Sequence, residues 1–367
     1  TTTTTTTTTT KGPFLSTIKV PGAGSFRWGS AVLGPNGLVY ACPEFATSVL
    51  IIDPSTDTAD TTTIAGLPSS FEKWSAPILV NNTIYCLPVR HEAVLKIDTT
   101  TNAVDYTTIT WEGETAAKYF SGAMADNGKI YAVPFSTDAA AIIDPATDTM
   151  DTTSITGLWG SRKWFGAVKA PDGRIFGTPY DTQYVLIIDP DTNTADATSL
   201  FANPPWLSSW AGASLGSNGL IYMMPCYGSS SVLIVDPDTD SIDTTSISDA
   251  SLAYGAFFSS VAVGDRVFAI PFFEQDIMII DTANNTVTQH LAGNDGQGKW
   301  LSSVLADNGK IYAIPAYVDH VRRQAVQDGS GEGVGVACAS AGGPAAGAKR
   351  RPPSRSETPL PVAVAVQ

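Results

Sequence analysis

The chain has 367 residues and a formal net charge of −14. Hydrophobic residues make up 43% of it and charged residues 15%, so the chain can bury a core and is not disordered throughout. The acidic balance argues against a general nucleic-acid binder, and no apolar run in the sequence is long enough for a membrane-spanning helix.

A short phrase, an aromatic residue followed three positions later by proline, recurs along the chain. The prolines lie 44 to 46 residues apart, and a second phrase ending in Asp recurs at similar intervals. Repetition at such a period indicates a fold built from equivalent units. The copies are Tyr40–Pro43, Tyr85–Pro88, Tyr131–Pro134, Phe176–Pro179, Tyr222–Pro225, Phe268–Pro271 and Tyr312–Pro315.

Each copy reads as four short strands. In the first copy they are Trp28–Leu33, Leu38–Cys42, Val49–Ile52 and a threonine-rich outer strand around Thr61–Ile64. Asn36–Gly37 supplies the positive φ angles of a tight hairpin turn, and the proline closes the second strand. The sequence therefore predicts an all-β fold, a seven-bladed β-propeller of four-stranded antiparallel blades, in preference to an open solenoid of hairpins.

The two ends of the chain differ from the repeats. Residues 1–10 are all threonine and are expected to be disordered, and residues 11–321 to form the propeller. Residues 322–367, rich in Gly, Ala, Pro and Arg, are expected to be a disordered tail or translated non-coding sequence. The alternative is a basic interaction tail built on Lys349–Arg351. The last copy loses its third strand after Val321, where Arg322–Arg323 replaces Leu-Ile-Ile. We expect an N-terminal strand within residues 14–20 to complete this last blade.

The repeat resembles a known class of propellers. Tyr-x-x-Pro followed by Val-Leu-Ile-Ile-Asp-Pro-x-Thr-x-Thr, as at residues 185–194, is similar to YVTN and NHL-type repeats over residues 11–321. The resemblance implies the propeller fold; those families include scaffolds, cell-wall proteins, and some lyases and lactonases. The proline after the second strand and the Lys-Trp before the first depart from NHL repeats, so no functional residue is carried over.

An aromatic residue opens the innermost strand of every copy, and a basic residue precedes it in five of them. One interpretation is a cationic and aromatic collar at the channel mouth that holds a ligand. The other is that the aromatics pack between blades while the lysines extend over them to solvent. The collar comprises Arg27, Trp28, Lys73, Trp74, Lys118, Tyr119, Lys163, Trp164, Trp210, Phe257, Lys299 and Trp300.

A second candidate site lies in the variable loops after the prolines. His91 or His320 could act as a general base with Glu92 or Glu274 as its partner. No spacing singles these residues out, so ordinary surface side chains are the competing interpretation.

Acidic turns and cysteines offer weaker signals for a metal site. Asp236, Asp238 and Asp240 resemble the start of a calcium loop but lack its later Gly and Glu, so turn capping is preferred over weak metal binding. Three cysteines stand at different offsets from the repeated prolines, which favours buried free thiols over a metal cluster; they are Cys42, Cys86 and Cys226. We expect no cofactor.

These residues favour a non-catalytic binding or scaffold propeller that presents the collar to a protein, glycan or small anionic ligand. The alternative is a propeller lyase or hydrolase with a metal or histidine at the channel mouth. We expect a monomer that does not bind nucleic acid. Ligand identity and cellular compartment stay open.

Overall fold

Six four-stranded antiparallel sheets follow one another along the described part of the chain, and a further sheet combines the first described strand with the last four. The computed structural model describes residues 15–22, 26–111, 116–202, 208–248, 257–292, 298–318, 320–327 and 333–339. These residues form strands and loops and no helix, so none of them provides a helix that could cross a membrane. The poly-Thr tract and residues 340–367 lie outside the described residues.

The first three blades each contain four consecutive strands. Blade one has β2 (Trp28–Leu33), β3 (Val39–Pro43), β4 (Leu50–Asp53) and β5 (Thr58–Asp60). Blade two has β6 (Trp74–Val80), β7 (Thr83–Pro88), β8 (Leu95–Asp98) and β9 (Val104–Asp105). Blade three has β10 (Ser121–Met124), β11 (Ile130–Val133), β12 (Ala141–Asp144) and β13 (Thr149–Asp151).

The next three blades repeat this order. Blade four has β14 (Trp164–Lys169), β15 (Ile175–Pro179), β16 (Leu186–Asp189) and β17 (Thr194–Asp196). Blade five has β18 (Trp210–Leu215), β19 (Ile221–Pro225), β20 (Leu233–Asp236) and β21 (Ser241–Asp243). Blade six has β22 (Ser259–Val263), β23 (Arg266–Ile270), β24 (Asp276–Asp281) and β25 (Thr286–Leu291).

The terminal sheet departs from the predicted pattern, so the expectation of seven equivalent four-stranded blades is correct for only six. Its five strands lie in the order β1-β28-β29-β27-β26, and β29 runs parallel to β27. Arg-Arg stands where the other copies have their apolar third strand. The next apolar segment forms β29, which pairs antiparallel with β28 and therefore runs parallel to β27. The strands are β1 (Leu15–Lys19), β26 (Trp300–Leu305), β27 (Ile311–Pro315), β28 (His320–Gln327) and β29 (Gly333–Ala339).

Both ends of the propeller meet in this sheet. β1 is its outermost strand and pairs antiparallel with β28, in the sheet that the sequence assigns to it. β28 continues past Val321 to Gln327. The innermost strands contact one another in sequence, and β26 contacts both β22 and β2. The sheets therefore form a closed ring and not an open stack.

Hydrogen bonds between neighbouring blades, which we call latches, explain why the repeat keeps its Asn-Gly turn and its tyrosine. In blade one, the Asn36 side chain donates to the Tyr40 hydroxyl and to the carbonyl of Thr99 in blade two. The Tyr40 hydroxyl in turn donates to Oδ1 of Asn102. Equivalent latches start from Tyr131 and Tyr222, and one closes the ring from the terminal sheet to Pro54 and Asp57 of blade one.

The core lies mainly between neighbouring blades, where large side chains from facing sheets interdigitate. Cys42 of blade one and Cys86 of blade two meet there in a disulfide, so the prediction that both are free thiols is wrong. Cys226 is a buried free thiol, as predicted. Neighbouring residues of a strand point to opposite faces of its sheet, so the one-residue difference in offset is what allows the two cysteines to face each other.

Candidate functional site

We call the end of the ring where the innermost strands begin the front face. The loops that lead into each innermost strand lie there, together with the loops that follow the repeated prolines, because strand direction alternates through each blade. The Asn-Gly turns and the Asp-rich turns lie at the opposite end, the back face. The predicted collar and the alternative catalytic residues all belong to the front half of the molecule.

Small side chains line the middle of the channel. In every sheet except blade two, the residue two positions after the opening aromatic lines a cavity of about 140 Å3. In blade two the residue directly after the aromatic does so. Small residues are needed there because neighbouring inner strands approach closely: a Cβ on Gly212 would lie 2.9 Å from backbone atoms of Phe258. The lining residues that occupy this position are Ser30, Ser75, Ser121, Gly166, Gly212, Ser259 and Ser302.

Apolar side chains fill the channel on its front side, and we call this cluster the plug. The positions after the repeated prolines supply part of it, with the residues that follow the opening aromatics. Ring contacts hold it together, such as Phe120 stacked on Phe165 with centroids 5.4 Å apart. The plug consists of Phe26, Val89, Ala117, Phe120, Phe135, Phe165, Tyr180, Ala211, Cys226, Phe258, Phe272, Leu301 and Ala316.

Blade one interrupts the plug with a carboxyl group. Glu44 follows Pro43, the position that is apolar or aromatic in the other copies, and it is buried beside the channel cavity. Burial, with a smaller contribution from the nearby Glu72 carboxylate, raises the pKa of Glu44 to about 8. Glu44 was not identified from the sequence, because this residue follows the repeated proline and lies outside the collar positions.

The structure places the collar aromatics between blades, where they are almost fully buried. Their indole N–H groups donate to carbonyls of the same blade just before its third strand, as from Trp74 to Ala93 at 2.6 Å and from Trp210 to Ser231 at 2.8 Å. Nε1 of Trp300 is buried with no hydrogen-bond partner among the described residues, in the sheet that lacks a regular third strand. The packing interpretation accounts for these positions; ligand binding by the rings stays a prediction.

The collar lysines are also buried, which neither interpretation of the sequence anticipated. Nζ of Lys73 donates to the carbonyls of Glu44 and Ser70, at 2.9 and 3.0 Å. Nζ of Lys163 donates to the carbonyls of Thr137 and Gly160, at 2.9 and 2.6 Å. Burial lowers the pKa of each lysine to about 8. These ammonium groups therefore bind loop backbone and do not reach the front surface.

Each of three collar lysines holds a loop that carries an aromatic side chain. Ser70, held by Lys73, precedes Phe71, which is 73% exposed, and Gly160, held by Lys163, follows Trp159, which is 77% exposed. The ammonium of Lys118 lies 4.7 Å from the ring centroid of the half-buried Trp111. Phe201, 46% exposed, lies in the next such loop. We call Phe71, Trp111, Trp159 and Phe201 the rim aromatics; the sequence pattern did not reveal any of the four, because they lie outside the repeated phrases.

The alternative catalytic residues lie on three different sheets. His91 and Glu92 follow β7, Glu274 follows β23, and His320 begins β28. The His91 ring packs against Trp74, with centroids 4.3 Å apart, and its Nδ1 accepts the Ala93 N–H. Burial lowers the pKa of His91. The side chain of His320 lies outside the described residues, and a catalytic role for this set stays a prediction.

The weak metal candidates serve the turns and latches of the back face. Oδ1 of Asp236 accepts the N–H of Asp238, at 2.9 Å, and Asp240 pairs with Arg174 of blade four, at 2.8 Å. Arg174 thus makes the latch to blade five, where Phe176 replaces the tyrosine. Within the described ranges, no group of three or more His, Cys, Asp or Glu side chains is arranged to hold a metal ion.

Comparisons with known proteins place the fold and go no further. No family model matches the sequence, and no curated protein matches it. A streptogramin B lyase structure has a TM-score of 0.67 at 12% identity, covering 85% of this chain and 97% of its own. Virginiamycin B lyase from Staphylococcus aureus has a TM-score of 0.67 at 11% identity, covering 84% and 98%. The extracellular domain of a putative one component system from B. thetaiotaomicron has a TM-score of 0.61 at 13% identity, covering 82% and 40%. Such identities show the propeller fold alone.

Proposed function

We propose that this chain is a non-catalytic binding propeller that docks a protein partner on its front face. The partner contacts the rim aromatics, and the collar contributes by holding the loops that carry them. The terminal sheet acts as the seventh blade of the ring that supports this face. The exposed Phe71 and Trp159, each next to a carbonyl bound by a buried lysine, are the observation that carries the proposal.

Large exposed aromatic side chains support a protein partner. Tryptophan, tyrosine and arginine dominate the binding energy of protein interfaces, usually as a few anchors surrounded by weaker contacts. Phe71 and Trp159 leave most of their surface in water, which costs free energy that burial under a partner would recover. They also lie in the loops before blades two and four, so one partner spanning that arc would cover both.

The buried lysines support a preorganised surface. A loop that is already ordered loses less conformational entropy when it binds, so more of the contact free energy appears as affinity. Lys163 ties the loop of Trp159 to blade three, because it binds the carbonyls of Thr137 and Gly160 together. This arrangement also explains why lysine recurs before the opening aromatic although the lysine side chains are buried.

Charged pairs beside the rim aromatics supply polar contacts of the kind that surround the centre of an interface. Arg90 pairs with Glu72 next to Phe71, and both side chains come from front-face loops. Arg162 pairs with Asp181, at 3.0 Å, and follows Trp159 in the same loop. The arginines keep 32% and 25% of their side chains exposed, so each remains available to a partner.

The proposal is tested by changing the rim aromatics and measuring which proteins the immobilised propeller retains. Phe71→Ser with Trp159→Ser removes the two most exposed rings, and Met124→Ser is the matched control because Met124 is a 38% exposed apolar residue of the back face. Extract from the native source is passed over the immobilised parent, the double variant and the Met124 variant, and quantitative mass spectrometry compares the proteins that each one retains. We expect at least one partner to be retained by the parent and the Met124 variant but lost from the double variant.

Retention that is equal in all three proteins would contradict the proposal. Binding to a glycan array that depends on the same two rings would instead assign the face to a glycan. Binding of a small anionic ligand would instead indicate that the collar lysines contact a ligand themselves. Thermal unfolding of each variant establishes that the loss of a partner does not come from a loss of folding.

A lyase or hydrolase with a metal or histidine at the channel mouth is the alternative function. It would require groups such as His91 and Glu274 to converge on a substrate bound across the front face. A screen of divalent ions by thermal shift separates the two functions, because an ion held at the mouth raises the unfolding temperature.

A further inference from the structure

The Glu44 side chain has an acceptor that no described residue uses. Its Oε1 atom is fully buried and has no hydrogen-bond partner among the described residues. The Ser75 hydroxyl of blade two lies beside this carboxyl group and favours its ionised form. Leaving a buried carboxyl oxygen unpaired costs free energy, so such an atom marks a place where a ligand or an ordered molecule completes the structure.

The backbone of blade one passes close to this oxygen at Gly29. Gly29 follows the opening aromatic of blade one, the position where blades three and four have Phe120 and Phe165. A Cβ at Gly29 would lie 2.6 Å from Oε1 of Glu44 and 2.8 Å from the Ser75 hydroxyl. Glycine is therefore needed where the chain passes the buried Glu44 carboxyl, and Glu44 is one of the residues that line the channel cavity.

The walls of the cavity combine hydroxyl groups with aromatic rings. Ser30 and Ser75 lie on the side of Glu44, with their hydroxyl oxygens 3.5 Å apart. Phe120, Phe165 and Phe258 line the same cavity from the plug. Carboxylate and hydroxyl oxygens accept hydrogen bonds from an ammonium group, and aromatic faces attract a cation and cover its alkyl part.

We propose that the channel cavity is a binding site for a small alkylammonium ion, whose ammonium group bonds to Glu44 and the serine hydroxyls. The alkyl part of the ligand lies against the phenylalanine rings of the plug. A divalent metal does not fit, because the described residues place no group of three or more His, Cys, Asp or Glu side chains here, and the nearby Glu72 carboxylate pairs with Arg90. This site is separate from the front face of the proposed function.

The charges around Glu44 determine how the ligand binds. Glu72 and Lys73 come from the loop before blade two, Arg27 from the loop before blade one, and Arg90 pairs with Glu72. Nζ of Lys73 is turned to the backbone carbonyls of Glu44 and Ser70. At neutral pH the empty site holds a protonated Glu44, so binding an ammonium ion releases that proton to the buffer and leaves a carboxylate paired with the ligand.

Calorimetry with ethylammonium chloride tests the proposal on the intact chain. Titrations at neutral pH in buffers of different ionisation enthalpy report the protons released; we expect about one per site and tighter binding as the pH rises through the pKa of Glu44. Glu44→Gln, which removes the negative charge, and Gly29→Ala, whose methyl group would collide with the Glu44 carboxyl and displace it, should each weaken binding by at least about tenfold. Asp307→Asn removes a charge from an exposed back-face turn and should leave binding unchanged.

The result that overturns the proposal is an absence of ethylammonium binding to the unaltered protein, or binding that both cavity variants retain. If either variant fails to fold, carbon NMR of the unaltered protein decides: the Glu44 carboxyl signal should move to its ionised position when ethylammonium is added at neutral pH, and an unmoved signal contradicts the site. Loss of the front-face partner affects none of these readings.

Discussion

Cys42 and Cys86 are joined across the boundary between blades one and two, with their Cα atoms 6.0 Å apart. Cys42 immediately precedes its proline, whereas Cys86 stands one position earlier in its own repeat. The two side chains therefore leave opposite faces of their sheets and meet in the space between the blades. The disulfide closes a 44-residue separation and ties two consecutive repeats together.

Removing this disulfide should destabilise the ring. Cys42→Ser with Cys86→Ser should lower the free energy of unfolding by about 2–5 kcal/mol, because the unfolded chain regains the freedom that the cross-link removes. Chemical unfolding with and without a reducing agent measures this effect. The reductant should destabilise the parent protein and leave the double variant unchanged.

Alkylation before and after reduction provides the control. Cys226 is free and buried, so it should react only after unfolding, whether or not reductant is present. Cys42 and Cys86 should require both unfolding and reduction. Reaction of these two in unreduced, unfolded protein would show that the disulfide is absent.

The repeat pattern predicts much of the fold because each blade is written locally in the sequence. Turn residues such as Asn36–Gly37 and the spacing of the prolines are sufficient to define six blades. The terminal sheet could not be predicted in this way. There the chain departs from the repeat after Val321, and the pairing of β29 with β27 depends on contacts between segments that share no repeated phrase.

Lys163 should stabilise the Trp159 loop. Lys163→Met leaves the carbonyls of Thr137 and Gly160 without their donor, so we expect a loss of about 1–3 kcal/mol in the free energy of unfolding. Hydrogen exchange of residues 157–161 should quicken at the same time. Lys169→Met is the matched control, because Lys169 pairs with the exposed Asp126 on the back face and contributes about 0–1 kcal/mol. Equal effects of the two substitutions would contradict the anchoring role.

The latch from Tyr312 of the terminal sheet to blade one should contribute more to cooperative unfolding of the ring than an equivalent latch elsewhere. Tyr312→Phe removes the hydroxyl that binds Asn308 and Asp57, and Tyr40→Phe removes the corresponding group of blade one. Each should cost about 0.5–1.5 kcal/mol. Hydrogen exchange should show faster opening of β2 and β26 in the Tyr312 variant alone. The same pattern in both variants would mean that this latch has no special part in closure.

The stability of the protein should depend on pH through Glu44. Its pKa is raised from 4.5 to about 8, so between these values the folded state keeps a proton that the unfolded chain has lost. The stabilisation from Glu44 is therefore complete below about pH 4.5 and is lost as the pH rises to about 8, by about 1.4 kcal/mol for each pH unit in this range. Urea unfolding across this range should show a steeper decline for the parent than for Glu44→Gln. Parallel curves would contradict the burial of an ionisable Glu44.

The candidate site was less predictable than the fold. The repetition of Lys before Trp identifies a position but not the direction of the side chain. Only the packed loops show that the Lys73 ammonium binds the carbonyl of Ser70, next to Phe71. Exposed residues such as Trp159 stand outside every repeated phrase, so no period marks them. Glu44 was visible as the one acidic residue after a repeated proline, and a comparison of all repeat positions would have found it.

Site-specific photo-crosslinking tests the central claim most directly. A photoreactive amino acid replaces Trp159 in one protein and Met124 in another, which places it on the front face or on the back face. The account predicts that a discrete protein adduct forms from position 159, that it is suppressed by excess unlabelled propeller, and that position 124 gives no such adduct. Adducts from position 124 alone, or the same adducts from both positions, would contradict a partner-binding front face.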